Sequence, residues 1–207
     1  MLSEQFVRSA TLLLVLLNPF MLSVYLLDLI QDMTWRVFMG VLLRGAAISS
    51  VVFIAFAVVG DSLFTIVLQV RFGSFLIFGG LLFLFVSIRS FFVGPKALRE
   101  LRGEAEHVAG SIAMPFMIGP GTVSASVTAG SQLPVGYAAL AVVVPVAISV
   151  VAVLILKLAY DAVPKRYETM VIRYIDMTGR AMTLVTGTIA VEMILRGVEQ
   201  LPFLNVT

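Results

Sequence analysis

Two proline-containing breaks in apolar stretches are the part of this sequence best suited to binding chemistry. The tripeptide Pro-Phe-Met occurs at residues 19–21 in LLNPFMLS and again at residues 115–117 in AMPFMIGPGT. A proline inside a helix removes one hydrogen-bond donor and clashes with the carbonyl one turn back, at ~3 kcal/mol or more. Both stretches therefore predict interrupted helices, whose ends leave backbone N–H and C=O groups without helical partners.

The two breaks differ in their residues. Asn18 followed by Pro19 is typical of an N-cap and a first helical position, so a half-helix is expected to start there. The second break contains Gly-Pro-Gly at residues 119–121, followed by the hydroxyl of Thr122. Gly-Pro-Gly continues a helix poorly and allows the backbone to approach a ligand closely. For Asn18-Pro19 a simple kink and a binding role both stay open, whereas Pro145 alone is interpreted as a kink.

Helix ends inside hydrocarbon must be satisfied by side chains, water or a bound solute. The start of a half-helix favours a carboxylate and the end favours a cation. Two breaks that face each other predict a site for a small zwitterion, which means an amino acid. Phe20 is either a wall of this site or ordinary packing. The candidate substrate-binding residues are Asn18, Pro19, Phe20, Arg44, Met114, Pro115, Gly119, Pro120, Gly121 and Thr122.

Two charged positions inside apolar stretches add to this set. Arg44 lies in VLLRGAAISS, where a cation costs about 2.5–3.5 kcal/mol on insertion scales. An inward-facing role, on helix-end carbonyls or a substrate carboxylate, is favoured over snorkelling to the membrane surface. Glu192 precedes Arg196 by four residues, which predicts an ion pair on one helix face. Glu192 is also the candidate for proton coupling, as an intramembrane carboxylate.

The composition predicts a bilayer as the solvent of these elements. Hydrophobic residues make up 60% of the chain and charged residues 13%, against about 45–50% and about 25% in soluble domains. The mean hydropathy is +1.06. A net charge of +2 gives no reason to expect nucleic-acid binding. No cysteine and one histidine, His107, are present, so disulfides and thiol catalysis are excluded and no metal or other cofactor is expected.

Six stretches are long and apolar enough to cross about 30 Å of hydrocarbon as helices. Lys and Arg concentrate in cytoplasmic loops. Ten of them, Lys157 included, fall on the side of the first, third and fifth connections, and three on the other side. The chain is therefore expected in the cytoplasmic (inner) membrane with both termini extracytoplasmic. The predicted spans are Phe6–Leu29, Val37–Val59, Phe72–Val93, Val108–Ala129, Val135–Leu156 and Met177–Val198.

Three spans in each half start from opposite faces, so an internal repeat would be inverted. The two Pro-Phe-Met copies fall in spans one and four, and Gly80 aligns with Gly187 as Arg89 does with Arg196, each 107 residues apart (187 − 80). The expected fold is an all-α membrane protein with six transmembrane helices in a 3+3 inverted repeat. Helices one and four are expected to break near the membrane midplane. Residues 1–93 form the first repeat, 94–107 a cytoplasmic connector and 108–207 the second repeat.

At these motifs the sequence resembles the MarC family of integral membrane proteins. The resemblance rests on AMPFMIGPGT, on NPF in span one and on FGG at the entry to span three, and it covers essentially the whole chain. Met21 and Val24 replace a glycine and a second proline that many members carry in span one. The most specific motif, Pro-x-x-x-Gly-Pro-Gly-Thr, is present as Pro115, Gly119, Pro120, Gly121 and Thr122.

This resemblance implies export of small neutral amino acids, of the size of glycine or alanine, coupled to a proton or a sodium ion. Partners would then be the lipid bilayer, the amino acid and the coupling ion. A passive channel or a membrane-embedded assembly factor is the alternative, since a channel would share the broken helices. An enzyme is not expected, because the sequence offers no His/carboxylate cluster and no Gly-x-Ser-x-Gly nucleophile.

Overall fold

The computed structural model describes residues 2–67, 69–93 and 117–201, and the regular structure in these residues is helical. The connector 94–107, together with Met114 and Pro115, lies outside the described residues. The helices are α1 Leu2–Leu17, α2 Pro19–Tyr25, α3 Leu27–Asp32, α4 Trp35–Ser62, a π-helical turn Leu63–Val67, α5 Phe72–Val93, α6 Pro120–Gln132, α7 Val135–Asp161 and α8 Lys165–Glu199.

Five helical stretches among the described residues are long and apolar enough to cross a membrane, and they correspond to five of the six predicted spans. The predicted fourth span contributes α6, which is 13 residues long, and its remaining part, 108–116, lies outside the described residues. The third predicted span matches α5 from Phe72 to Val93. The five stretches are Leu2–Tyr25, Trp35–Gly60, Phe72–Val93, Val135–Asp161 and Met170–Glu199.

The last helix starts earlier than the sequence predicted. The sixth span was expected from Met177, whereas α8 begins at Lys165, directly after Pro164. The added segment, KRYETMVIRYID, carries several charges, so a search for apolar runs passes over it although its backbone is helical. Pro164 stops the preceding turn and fits the position just before a helix.

Small residues bring α5 and α8 into close contact, and this is the most extensive helix pairing in the described structure. A Cβ atom on Gly73 would lie 2.7 Å from Gly197 O, and one on Gly197 would lie 2.6 Å from Gly73 O. A Cβ on Gly80 would lie 2.6 Å from Cγ1 of Ile194. Glycine is needed at these positions because backbones approach each other directly, as in many membrane helix pairs.

The core lies between α1–α3, α4, α6 and α7. Its largest members, Tyr25, Phe38 and Phe53, are fully buried. The outer faces carry exposed apolar side chains such as Val51, Phe78 and Phe92. Such faces suit hydrocarbon and would be unfavourable in water.

Lys157 is a charged residue in this core, and the sequence analysis had counted it among the cations at the cytoplasmic surface. Its side chain is 3% exposed and forms an ion pair of 2.7 Å with Asp161. Its Nζ also donates to Ile30 O at 2.6 Å. Ile30 belongs to the last turn of α3, whose carbonyls have no partner within the helix. Lys157 therefore caps α3 and joins it to α7.

Candidate functional site

The first break is formed by Asn18 between α1 and α2. Asn18 adopts a left-handed backbone conformation (φ 39°, ψ 80°), and its side-chain oxygen accepts a hydrogen bond from Met21 N–H. That bond measures 3.2 Å. Asn18 N–H still donates to Leu14 O at 3.1 Å, so α1 is hydrogen-bonded up to the break. Asparagine tolerates this conformation better than most residues, which explains why it stands here.

The backbone around this break is largely satisfied by the chain itself. Pro19 has no N–H, Met21 is bound to Asn18, and Phe20 N–H makes no hydrogen bond to the described residues. Beside the break is a cavity of about 290 Å³, and Asn18 is the polar residue among its lining of Leu14, Val15, Asn18, Pro19, Met182 and Val185. Phe20 packs against the hydrophobic core.

The second break is described from Met117 onward, where α6 begins at Pro120. Gly119 is extended (φ −111°, ψ 167°) and precedes Pro120 as the N-cap. Gly119 N–H donates to Thr122 Oγ1 at 2.9 Å. Thr122 O–H lies 2.8 Å from Met117 O, to which it donates. The hydroxyl thus closes the turn that leads into α6.

The sequence predicts this hydroxyl at the ligand, whereas the structure shows it engaged in hydrogen bonds with the backbone. Thr122 is buried, at 1% exposure, and its oxygen is shared between the backbones of Gly119 and Met117. Thr122 fixes the shape of the break. The α6 side chains that line a cavity are those of Ser124 and Thr128, one and two turns after Pro120.

A cavity of about 270 Å³ lies at the start of α6, between α1, α5, α6 and α8. Gly121 lines it, and a Cβ atom there would lie 3.1 Å from Phe83, 3.2 Å from Leu16 and 3.2 Å from Met193. Three hydroxyl-bearing residues, Ser124, Thr128 and Thr188, also line it. Ser124 Oγ has no hydrogen-bond partner among the described residues, whereas the other two hydroxyls donate to their own helix backbones.

The two breaks are neighbours in the structure. Met117 lies in the same buried cluster as Leu17 and Met21, which flank the first break. Leu16, one turn before Pro19, contacts the position of a Gly121 Cβ at 3.2 Å. The described part of the second break therefore packs on the first.

The Gly-Gly pair at the entry of α5 holds the start of α6 in place. A Cβ on Gly79 would overlap the ring of Pro120, whereas Gly80 faces Ala190 and Ile194 on α8. The lack of a side chain thus lets α6 approach α5 at Gly79 and α8 approach it at Gly80. The FGG motif is explained by this double contact.

The ion pair predicted between Glu192 and Arg196 is present, with 2.7 Å between Arg196 Nε and Glu192 Oε1. Both side chains are about half exposed. Both also line the cavity that contains Gly121, and sequence spacing gave no sign of this. The hydroxyls of Ser124, Thr128 and Thr188 are the further members of the site that sequence reasoning did not assign.

The structure places Arg44 on an exposed face of α4, and its inward-facing role stays a prediction. Arg44 is exposed on α4, and Leu42, two positions earlier, is fully buried. Two helical positions differ by about 200° around the axis, which turns Arg44 to the opposite face. The physical reason is that a long side chain nine residues after Trp35 has the reach to snorkel towards the membrane surface.

Comparison with known proteins shows the family of this chain. The family model described as MarC family integral membrane protein matches residues 3–201. The chain belongs to the MarC family. It is accordingly a multi-pass integral membrane protein that contacts the lipid bilayer. No curated protein and no solved structure matches it. In this MarC family member, the Gly-Pro-Gly-Thr motif of residues 119–122 forms the start of α6, and its Gly121 lines the 270 Å³ cavity.

Proposed function

We propose that this protein is a secondary transporter that moves small neutral amino acids, such as glycine and alanine, across the cytoplasmic membrane. The observation that carries the proposal is the cavity at the start of α6. Its volume of about 270 Å³ is below the range of about 300–1,000 Å³ typical of drug-sized ligands. A small solute fits a space of this size.

The start of α6 supports an anionic group in this cavity. Gly121 N–H and Thr122 N–H make no hydrogen bonds to the described residues. The N-terminus of a helix carries a partial positive charge and favours carboxylates. Gly121 has no side chain to cover these groups. The carboxylate of an amino acid is the partner that we infer for them.

The packing of the helices supports the inverted repeat on which such transporters are built. A shift of 107 residues takes Gly80 to Gly187 and Ser87 to Ile194. Gly80 contacts Ile194, and Gly187 contacts Ser87. The residues of the first contact therefore correspond to those of the second under this shift. The helices that correspond in the two halves also pack in corresponding pairs. In the first half α1 packs on α7, and in the second half α6 packs on α4. Likewise α2 packs on α8, and α6 packs on α5.

The finer parts of the proposal follow from the family resemblance and the charge distribution. We infer six spans, with both termini extracytoplasmic, and alternating access between the two sides. Export is the proposed direction, and a proton or a sodium ion is the proposed coupling ion. Glu192 is the candidate proton carrier, because it is a carboxylate that lines the cavity.

Counterflow in proteoliposomes tests the proposal and separates a carrier from a channel. Vesicles loaded with unlabelled alanine should transiently accumulate labelled alanine above its equilibrium level, and the accumulation should saturate with external alanine. Protein-free vesicles are the control. A non-saturable leak without overshoot would contradict the carrier and favour the channel. No alanine or glycine flux at all would overturn the substrate class.

A further inference from the structure

The Glu192–Arg196 pair lies beside the start of α6. Met193, the residue between them that follows Glu192, places its sulfur 3.2 Å from the position of a Gly121 Cβ. Glu192, Arg196 and Gly121 line the same cavity. A charged pair within a membrane-spanning stretch is unfavourable unless it faces water, a partner or a polar cavity. The hydroxyl-bearing residues Ser124, Thr128 and Thr188 contribute polar groups to the lining that this pair shares.

Among the described residues, the pair uses only a small part of its hydrogen-bonding capacity. Its hydrogen bond joins Arg196 Nε to Glu192 Oε1. An arginine has five donors, and an ionised carboxylate has two acceptor oxygens. The two Nη groups of Arg196 and Oε2 of Glu192 therefore remain for another partner. A planar guanidinium is well matched to a carboxylate, and a carboxylate is well matched to an ammonium group.

Both side chains are also accessible: Arg196 is 55% exposed and Glu192 53% exposed. An accessible pair four residues apart on a helix is weak on its own. A solute with both an ammonium and a carboxylate group can therefore replace the Glu192–Arg196 contact by two contacts of its own. Neither side chain is then left unpaired. Ser124 and Gly121 line the same cavity as the pair.

We propose that Glu192 and Arg196 form the charged part of the substrate site, where Arg196 binds the carboxylate together with the start of α6, and Glu192 binds the ammonium group of an α-amino acid. This inference rests on the proposed function and deepens it. The occupied site stays electrically neutral only for a zwitterion. Amines and carboxylic acids of the same size would each leave one charge uncompensated, so the pair selects solutes that have both groups.

The test is inhibition of alanine counterflow by ethylamine and by propionate, each of which keeps one charged end of alanine. Neither compound should inhibit the wild-type protein at concentrations near the KM for alanine. Arg196→Gln should raise the KM for alanine about tenfold or more, as expected for a lost charged contact, and should make ethylamine an inhibitor. Glu192→Gln should raise the KM similarly and make propionate an inhibitor.

Two further variants separate recognition from stability. Arg196→Lys keeps the charge but loses the planar fork, so it should restore part of the affinity lost in Arg196→Gln. Arg173→Gln, an exposed position near the other end of α8, is the matched control and should behave as wild type. Thermal unfolding in detergent shows whether each variant is folded.

The outcomes distinguish this inference from the proposed function. If wild-type protein shows alanine counterflow and both Gln variants keep its KM and its indifference to ethylamine and propionate, the pair is a surface ion pair and the inference is wrong. If folded Gln variants lose affinity but gain no sensitivity to either single-ended analogue, the selective role is also wrong. If wild-type protein moves no amino acid, the proposed function fails and the inference fails with it.

Discussion

The two breaks share a Pro-Phe-Met tripeptide but satisfy their backbones in different ways. At the first break, the Asn18 side chain caps α2 by accepting a hydrogen bond from Met21 N–H, and the Asn18 backbone is left-handed. At the second break, Thr122 Oγ1 accepts a hydrogen bond from Gly119 N–H, while the N–H groups of Gly121 and Thr122 have no partner among the described residues. The first adjoins a cavity lined by largely apolar residues, and the second a cavity with hydroxyls and an ion pair.

This difference indicates that the two breaks have different roles. A cap that comes from the side chain of the N-cap residue covers the helix start, so little of it is left for a ligand. A glycine N-cap has no side chain to cover the helix start, and Gly121, two residues further along, lines the cavity. We therefore expect the first break to act on stability and the second on substrate binding. The sequence predicted that both breaks face one site, although a simple kink stayed open for Asn18-Pro19.

The largest effect is expected from Gly121→Leu. The side chain would enter a space where a Cβ already lies within about 3.2 Å of Phe83, Leu16 and Met193, and it would fill the cavity and cover the start of α6. Alanine counterflow should be abolished, while the protein remains monodisperse in detergent. Gly40→Leu is the matched control, because a Cβ at Gly40 meets nothing within 4 Å. Full counterflow in Gly121→Leu would remove the second break from the substrate site.

Thr122→Val should destabilise the protein strongly and lower transport as a consequence. The substitution removes a buried hydroxyl and leaves Gly119 N–H and Met117 O without their partner. An unsatisfied buried polar group costs about 1–3 kcal/mol. Thermal unfolding should show this loss, and Thr122→Ser, which keeps the hydroxyl, should recover most of it. Equal stability of the Val and Ser variants would contradict the role assigned to the hydroxyl.

Asn18→Ala should have a smaller effect that is confined to stability. It removes the cap, worth about 1 kcal/mol, and places a Cβ-bearing residue without a capping side chain at a positive φ of 39°. Asn18→Gly should be milder, since glycine adopts this conformation freely. The KM for alanine should change little in either variant. A tenfold rise of KM in Asn18→Gly would show that the first break also contacts substrate, and the two breaks would then be equivalent.

The sequence predicted the apolar helices well because hydrophobic length reports directly on the bilayer. Phe72–Val93 was assigned with the bounds that α5 has, since both its ends are flanked by clear breaks. Residues 165–176 were missed because this part of α8 carries several charges although its backbone is helical. Hydrophobicity shows where a helix enters the membrane, but it does not show how far the helix extends beyond it.

The candidate site was predicted only in part, because its members come together through tertiary packing. Gly121 was assigned from its motif, and Glu192 from its charge, but their shared cavity depends on how α6 meets α8. Lys157 was taken for a surface cation because no local signal reveals that the end of α3 lies against it. Arg44 was assigned inward because an isolated cation in an apolar run attracts a functional interpretation. The helix face that it occupies is set by its neighbours.

The smallest effect is expected from Arg44→Gln, which tests that last point. Arg44 is exposed on the face of α4 opposite the fully buried Leu42, so its loss removes no contact with either break. Counterflow rate and the KM for alanine should stay within about twofold of wild type, the spread expected for a surface change. Because transport requires conformational change, Arg44 would have to move to the cavity in another state for the substitution to matter. A loss of transport of tenfold or more, with unchanged thermal unfolding, would show such a movement and restore Arg44 to the substrate site.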